Sequence, residues 1–91
     1  MIKSFKLKGL RDFWTRGDLS GVRPDLAKRL LRRLDVLNNA RQPTDMNVPG
    51  FDFHKLQGTP ERFSVHVNGP WCVTFGWQEN DAIDVDLVQY H

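Results

Sequence analysis

The period of the hydrophobic pattern changes once along this chain, near residue 42, and that change limits the fold more than any other feature. Before it, apolar residues recur at helical spacing; from residue 51 they alternate with polar ones. Phe51 and Phe53 alternate with Asp52 and His54, and Phe63, Val65 and Val67 with Arg62, Ser64 and His66. Val73, Phe75 and Trp77 then alternate with Cys72, Thr74 and Gly76, and Ile83, Val85 and Leu87 with Asp84 and Asp86. This reads as four strands in succession, each with one apolar face. The connections GTPE, NGP and QEND are short, which makes sequential strands antiparallel neighbours.

The first part reads as a short strand over Met1 to Phe5, a helix over Leu7 to Arg16, a break at Gly17 and Gly21, and a second helix from Pro24 to about Ala40. Pro24 fits a first helical turn and Asp25 complements the helix dipole there. On a helical wheel Leu26, Ala27, Leu30, Leu31, Leu34 and Leu37 take one arc, and Lys28, Arg29, Arg32 and Arg33 the opposite one. Pro43 and Pro49 mark the loop that follows. The expected fold is therefore α+β: an N-terminal strand, two helices, then an antiparallel sheet with the helices packed on one face and water on the other.

A chain of 91 residues and 10.6 kDa has room for one core, so residues 1–91 are expected to form one domain with an open site rather than a deep cavity. The single cysteine, Cys72, cannot form an internal disulfide, and MIKSFKLKGL lacks the apolar run of a signal peptide, so a cytoplasmic location is expected. No run approaches the roughly 18 apolar residues of a membrane span. The net charge of +2 hides a polarity: residues 1–41 hold eleven Lys/Arg against four acids, residues 42–91 two against seven. A basic half suits phosphate backbones or an acidic partner, and its cationic helix face also reads as a plain solvated surface.

If the alternation holds, the water-facing side of the sheet gathers His54, Arg62, Ser64, His66, Cys72, Thr74, Asp84 and Asp86, with Tyr90 continuing the register. The chain has no phosphate-cradling glycine loop, paired-cysteine or HExxH metal signature, or nucleophile elbow, and neither metal nor cofactor is expected. Metal-free RNA cleavage fits these residue types better. Attack of a 2′-OH on its own phosphodiester needs a base, an acid and a cation to stabilise the phosphorane, roles that histidine, tyrosine and arginine can fill. An aromatic ring such as Tyr90 can stack an unpaired base. Each residue equally suits a structural role on an ordinary sheet face.

The blocks MIKSFKLKGL, AKRLLRRLDVLNNA, NVPGFDFHKLQG, FSVHVNGPWCVTF and DAIDVDLVQYH, in this order and nearly end to end, resemble the HigB group of the RelE/ParE toxin superfamily. The resemblance implies a RelE-like fold and a toxin of a type II toxin-antitoxin system, a ribosome-dependent mRNA endoribonuclease. It also implies a HigA-like helix-turn-helix antitoxin, with operator DNA bound through the complex. His54, Tyr90 and His91 match positions that the group uses at its cleavage site. The chain departs from the group at Gln57 and Cys72, where other members carry lysine and arginine, and at Gln89, where they carry aspartate.

Lys55 and Arg62 are the only Lys/Arg of residues 42–91 and are the candidates to replace those cations. Arg62 is expected on the cleavage face; regular alternation turns Lys55 the other way. Arg62 is thus assigned to the cleavage site with His54, Tyr90 and His91, and Lys55, His66, Lys28, Arg29, Arg32 and Arg33 to RNA or ribosome contact. Two other functions stay open: an attenuated toxin that acts mainly by binding antitoxin and operator, and a ParE-like gyrase inhibitor.

Overall fold

The computed structural model describes residues 1–90. Helix α1 spans Lys8–Arg16, and α2 spans Ala27–Asn39 after a 3-10 turn over Pro24–Leu26. A second 3-10 turn, Pro43–Met46, leads to strands β1 His54–Leu56, β2 Arg62–Asn68, β3 Trp71–Gln78 and β4 Asp81–Gln89. The four strands form one sheet in the order β1-β2-β3-β4, with every pair antiparallel, as the short connections require. The α+β expectation holds. No described helix is long and apolar enough to cross a membrane.

Helix α1 ends where Gly17 takes φ +68, a left-handed turn that costs glycine nothing, and its N–H closes on the Phe13 carbonyl at 2.9 Å. The chain then doubles back so closely that a Cβ on Gly21 would lie 2.6 Å from the Gly9 Cα. Leu10 and Phe13 of α1, and Leu30, Leu34 and Leu37 of α2, pack with Phe63, Val65, Val67, Val73, Phe75, Ala82 and Val85 of the sheet. Each such buried side chain contributes roughly 1.5–3 kcal/mol. Both helices therefore cover one sheet face and leave the other open.

Four local expectations need correction. Residues 1–6 do not form a continuous strand: they make two isolated parallel bridges to β4, Ile2 to Ala82 and Phe5 to Val85. Between the bridges the Asp84 N–H donates to the Ser4 hydroxyl instead of to backbone, which splits the ladder. The first sheet strand begins at His54 rather than Phe51, because Phe51 is a buried core side chain and Asp52 turns the chain at φ +47. Leu31, placed on the apolar arc, is 45% exposed at its edge.

The fourth correction is in β4. Thr74 pairs with Asp86 and Gly76 with Ile83, so β4 has one residue more than β3 across this interval. Asp84, at φ +50, absorbs that bulge. The slip puts Ala82 and Val85 in the core and sends Ile83 to the open face, against the expected run of Ile83, Val85 and Leu87.

Candidate active site

The open face of the sheet is built in rows set by strand register. His54, Ser64, Thr74 and Asp86 form one row; Leu56, Arg62, Gly76 and Ile83 form the row on one side of it, and His66, Cys72 and Val88 the row on the other. The expected grouping of polar residues on this face is thus realised except at Asp84, which the bulge takes out of the alternation. Ser64 and Thr74 share the face but are 0% and 3% exposed, so neither is a solvated residue. The Ser64 hydroxyl is buried without a hydrogen-bond partner among the described residues.

His54 is exposed at the edge of the sheet, and its Nδ1 lies 3.0 Å from the Asp52 carbonyl oxygen. A carbonyl only accepts, so Nδ1 bears a proton, and in the neutral ring the Nε2 lone pair is the one left for a general base. The turn at Asp52, with its left-handed φ, aims that carbonyl. His66 is held differently: its Nε2 donates to the Gly69 carbonyl at 2.8 Å, closing the β2–β3 turn, and its backbone N–H donates to the Phe51 carbonyl at 2.6 Å. One nitrogen of that ring is thereby used by the turn.

The two cations of the acidic half part company. Lys55 pairs with Phe63 in register, on the side away from His54, and its ammonium lies 3.1 Å from a Glu61 carboxylate oxygen. Arg62 faces the open side. Its Nη2 donates to the Thr74 hydroxyl at 3.0 Å and to the Asp84 carbonyl at 2.8 Å. No ion pair among the described residues involves Arg62. One cation is neutralised and the other is fixed by neutral oxygens with its charge intact.

Tyr90 is 46% exposed beyond the end of β4, where its backbone N–H donates to the Pro70 carbonyl at 2.8 Å. His54 and Thr74, on strands two apart, are separated by about 10 Å, and Asp86 and Tyr90, four residues apart, by about 13 Å. The site is therefore spread over more than one nucleotide, and Arg62 and Tyr90 do not meet at one atom. His91 lies outside the described residues. Among the described residues no group of three His, Cys, Asp or Glu could hold a metal ion.

The basic residues of α2 sit on the helix layer. Lys28, Arg29, Arg32 and Arg33 line an open groove of about 630 Å³ closed by Pro49 and Gly50, and no ion pair among the described residues involves them. Arg33 does not belong to a solvated face, as the wheel placed it: it is 7% exposed. Its Nε donates to the His66 carbonyl at 2.9 Å, and its other nitrogens reach the carbonyls of Arg29 and Gly50 at 3.3 and 3.5 Å. Burial lowers its pKa, and Arg32 and Arg29 add to the shift. Arg29 donates to the Asn68 side chain at 3.1 Å, which leaves Lys28 and Arg32 as the less committed cations.

The family model for the RelE-like toxin of the type II toxin-antitoxin system HigB matches residues 3–91. The chain is 34% identical over 92 aligned positions to the Endoribonuclease HigB of Proteus vulgaris, with 100% of each chain covered.

Proposed function

The chain belongs to the HigB-like family of RelE-like toxins of type II toxin-antitoxin systems, and on that premise we propose that it cuts mRNA on the ribosome as a metal-independent endoribonuclease. It acts in the cytoplasm and is neutralised by a HigA-like helix-turn-helix antitoxin, whose complex with it binds operator DNA. The similar protein from Proteus vulgaris is named an endoribonuclease, which supports the reaction class.

One observation carries the assignment of residues: the sheet face that the helices leave open bears both His54, its Nδ1 held by the Asp52 carbonyl, and Arg62, whose guanidinium has no ion-pair partner among the described residues. His54 takes the proton of the 2′-OH, the 2′-oxygen attacks phosphorus, and the bond to the 5′-oxygen breaks, giving a 2′,3′-cyclic phosphate. Arg62 offsets the charge of the phosphorane, where Gln57 and Cys72 supply none. The 5′-oxygen leaves with a proton from an acid, a role to which His91 is assigned. Tyr90 stacks a base of the neighbouring nucleotide. The α2 groove holds ribosomal RNA through Lys28 and Arg32, with Arg29 and Arg33 shaping it; Lys55 is left with Glu61.

Expression without the antitoxin tests the reading. The expected result is growth arrest with cuts in ribosome-bound mRNA, and loss of both in His54→Ala. Normal growth with intact mRNA overturns it in favour of an attenuated toxin that only binds its antitoxin, a reading favoured by the neutral Gln57 and Cys72. Lost supercoiling by gyrase would identify the ParE-like alternative.

A further inference from the structure

We propose that Thr74 and the bulge at Asp84 are positioning residues that hold the Arg62 guanidinium as the phosphate-binding cation of the cleavage face. This rests on the reading of that face as the site of RNA cleavage. Neither residue touches the substrate in this proposal; both act through Arg62.

Two features converge on the same guanidinium. The Thr74 hydroxyl accepts one Nη2 hydrogen bond at 3.0 Å, and because Thr74 is 3% exposed that hydroxyl has no water to compete for it. The Asp84 carbonyl accepts the other at 2.8 Å. That carbonyl is turned to Arg62 by a backbone at φ +50, which costs energy for any residue but glycine and persists where the surroundings determine it. Gly76 lies in register with Arg62, and a Cβ there would stand at an ordinary 3.6 Å from Arg62 Nη1 and a tight 3.2 Å from Ile83 Cγ1, so the glycine makes room for Ile83.

Lys55, the other cation of this half of the chain, takes the Glu61 carboxylate. Arg62 takes a hydroxyl and a carbonyl, which fix its plane and leave its charge without an ion-pair partner among the described residues. Both Nη2 protons are used, so the Nε–H and the two Nη1 protons remain for an incoming phosphate. A cation fixed in advance needs no reorganisation as charge develops on the phosphorane, which is where such groups act most strongly. The bulge thereby supplies from β4 an acceptor that regular pairing would have spent on the sheet.

The test compares cleavage of ribosome-bound mRNA by wild type, Thr74→Val, Thr74→Ser, Asp84→Asn, Arg62→Ala and the double variant Arg62→Ala/Thr74→Val. Thr74→Val keeps the shape of the side chain and is expected to lower kcat roughly ten- to a hundredfold with little change in KM, since loss of alignment at the reacting centre is costly. Thr74→Ser and Asp84→Asn keep the acceptors and are expected to stay within about twofold of wild type. In the Arg62→Ala background Thr74→Val is expected to cost nothing further.

Equal losses from Thr74→Val with and without Arg62 overturn the proposal, as does wild-type activity in Thr74→Val. Heteronuclear NOE of the Arg62 Nε–H gives a reading that needs no cleavage: it is expected ordered in wild type and Thr74→Ser, and mobile in Thr74→Val. Equal mobility in all three overturns the clamp itself. Intact mRNA with wild-type protein, or full cleavage by Arg62→Ala, overturns the catalytic reading on which the clamp rests, and the NOE distinguishes the two failures.

Discussion

The Arg33 guanidinium lies 4.4 Å from the centre of the Phe51 ring while its Nε donates to the His66 carbonyl at 2.9 Å. Phe51 in turn accepts a hydrogen bond from the His66 backbone N–H. Helix α2, the loop before β1 and strand β2 are thereby tied at one point, beneath the end of the sheet that holds His66 and Tyr90. A flat, delocalised cation can stack on an aromatic ring and donate along its edges at the same time; an ammonium cannot.

Arg33→Lys is therefore expected to destabilise the fold by about 2 kcal/mol even though the charge is kept, because an ammonium cannot keep the ring stacking and the carbonyl contacts at once. For a domain of this size that is a fall of roughly 10 °C in Tm, which thermal unfolding followed by circular dichroism measures. A variant that melts with the wild type would show that the carbonyls find other partners and that the stacking is dispensable.

The close approach of α1 to the turn before α2 predicts an asymmetry between two glycines. Alanine at Gly21 would place its Cβ 2.6 Å from the Gly9 Cα, a backbone atom that cannot swing aside, whereas alanine at Gly9 would meet Gly21 Cα and its carbonyl at 3.0 Å. Gly9 also lies within α1, where alanine recovers up to about 1 kcal/mol of helix propensity. Gly21→Ala is expected to cost about 2–3 kcal/mol and Gly9→Ala distinctly less, read from urea midpoints at unchanged m-value. The reverse order would mean that α1, rather than the turn, sets the contact.

Much of this architecture was legible in the sequence because hydrophobic period is a direct image of secondary structure, and the change near residue 42 separates helices from sheet. The bulge in β4 was not. A bulge adds one residue without any change of composition, and Asp84 differs from an ordinary strand residue only in belonging to the few types that tolerate a left-handed φ. Missing it put Ile83 in the core and hid the carbonyl that Arg62 uses. Arg33 carried a signal that went unused: at 100° per residue it lies about 20° from Leu26, at the border of the apolar arc rather than opposite it. His54 and Arg62 were placed on one face correctly by alternation alone, whereas the contact of the His54 ring with the Asp52 carbonyl needed coordinates.

Asp45 gives a prediction about acid stability. Its carboxylate accepts from the backbone N–H groups of Arg41 and Gln42 at 2.8 and 3.3 Å, forming a capping box at the turn Pro43–Met46. The hydrogen bond from the Arg41 backbone is the main reason its pKa is lowered, with the Gln42 bonds and the Arg41 charge adding to it. A carboxyl depressed in the folded state stabilises the fold above its unfolded value, about 3.9, and that contribution is lost as pH falls through the folded value. Asp45→Asn is accordingly expected to lower the urea midpoint at pH 7 and to converge with wild type as pH drops below that range. Parallel curves from pH 7 to pH 3 would mean that the asparagine caps the turn as well as the carboxylate does.

Tyr90 separates stacking from proton transfer. Its ring is 46% exposed and its backbone is anchored to Pro70, so its side chain can be removed without opening the core. Tyr90→Ala is expected to leave Tm within a few degrees of wild type and to weaken engagement of mRNA by about 1–3 kcal/mol, the usual worth of one base stacked on an aromatic ring. That corresponds to a rise of roughly 5- to 150-fold in KM for cleavage on the ribosome. Tyr90→Phe keeps the ring and is expected to bind and cut as wild type does. If Tyr90→Phe loses kcat as severely as Tyr90→Ala, the hydroxyl and not the ring face does the chemistry, and the spread of about 13 Å along β4 from Asp86 would have to close when RNA binds. Titrating mRNA-programmed ribosomes against each variant, with kcat and KM fitted separately, decides between the two.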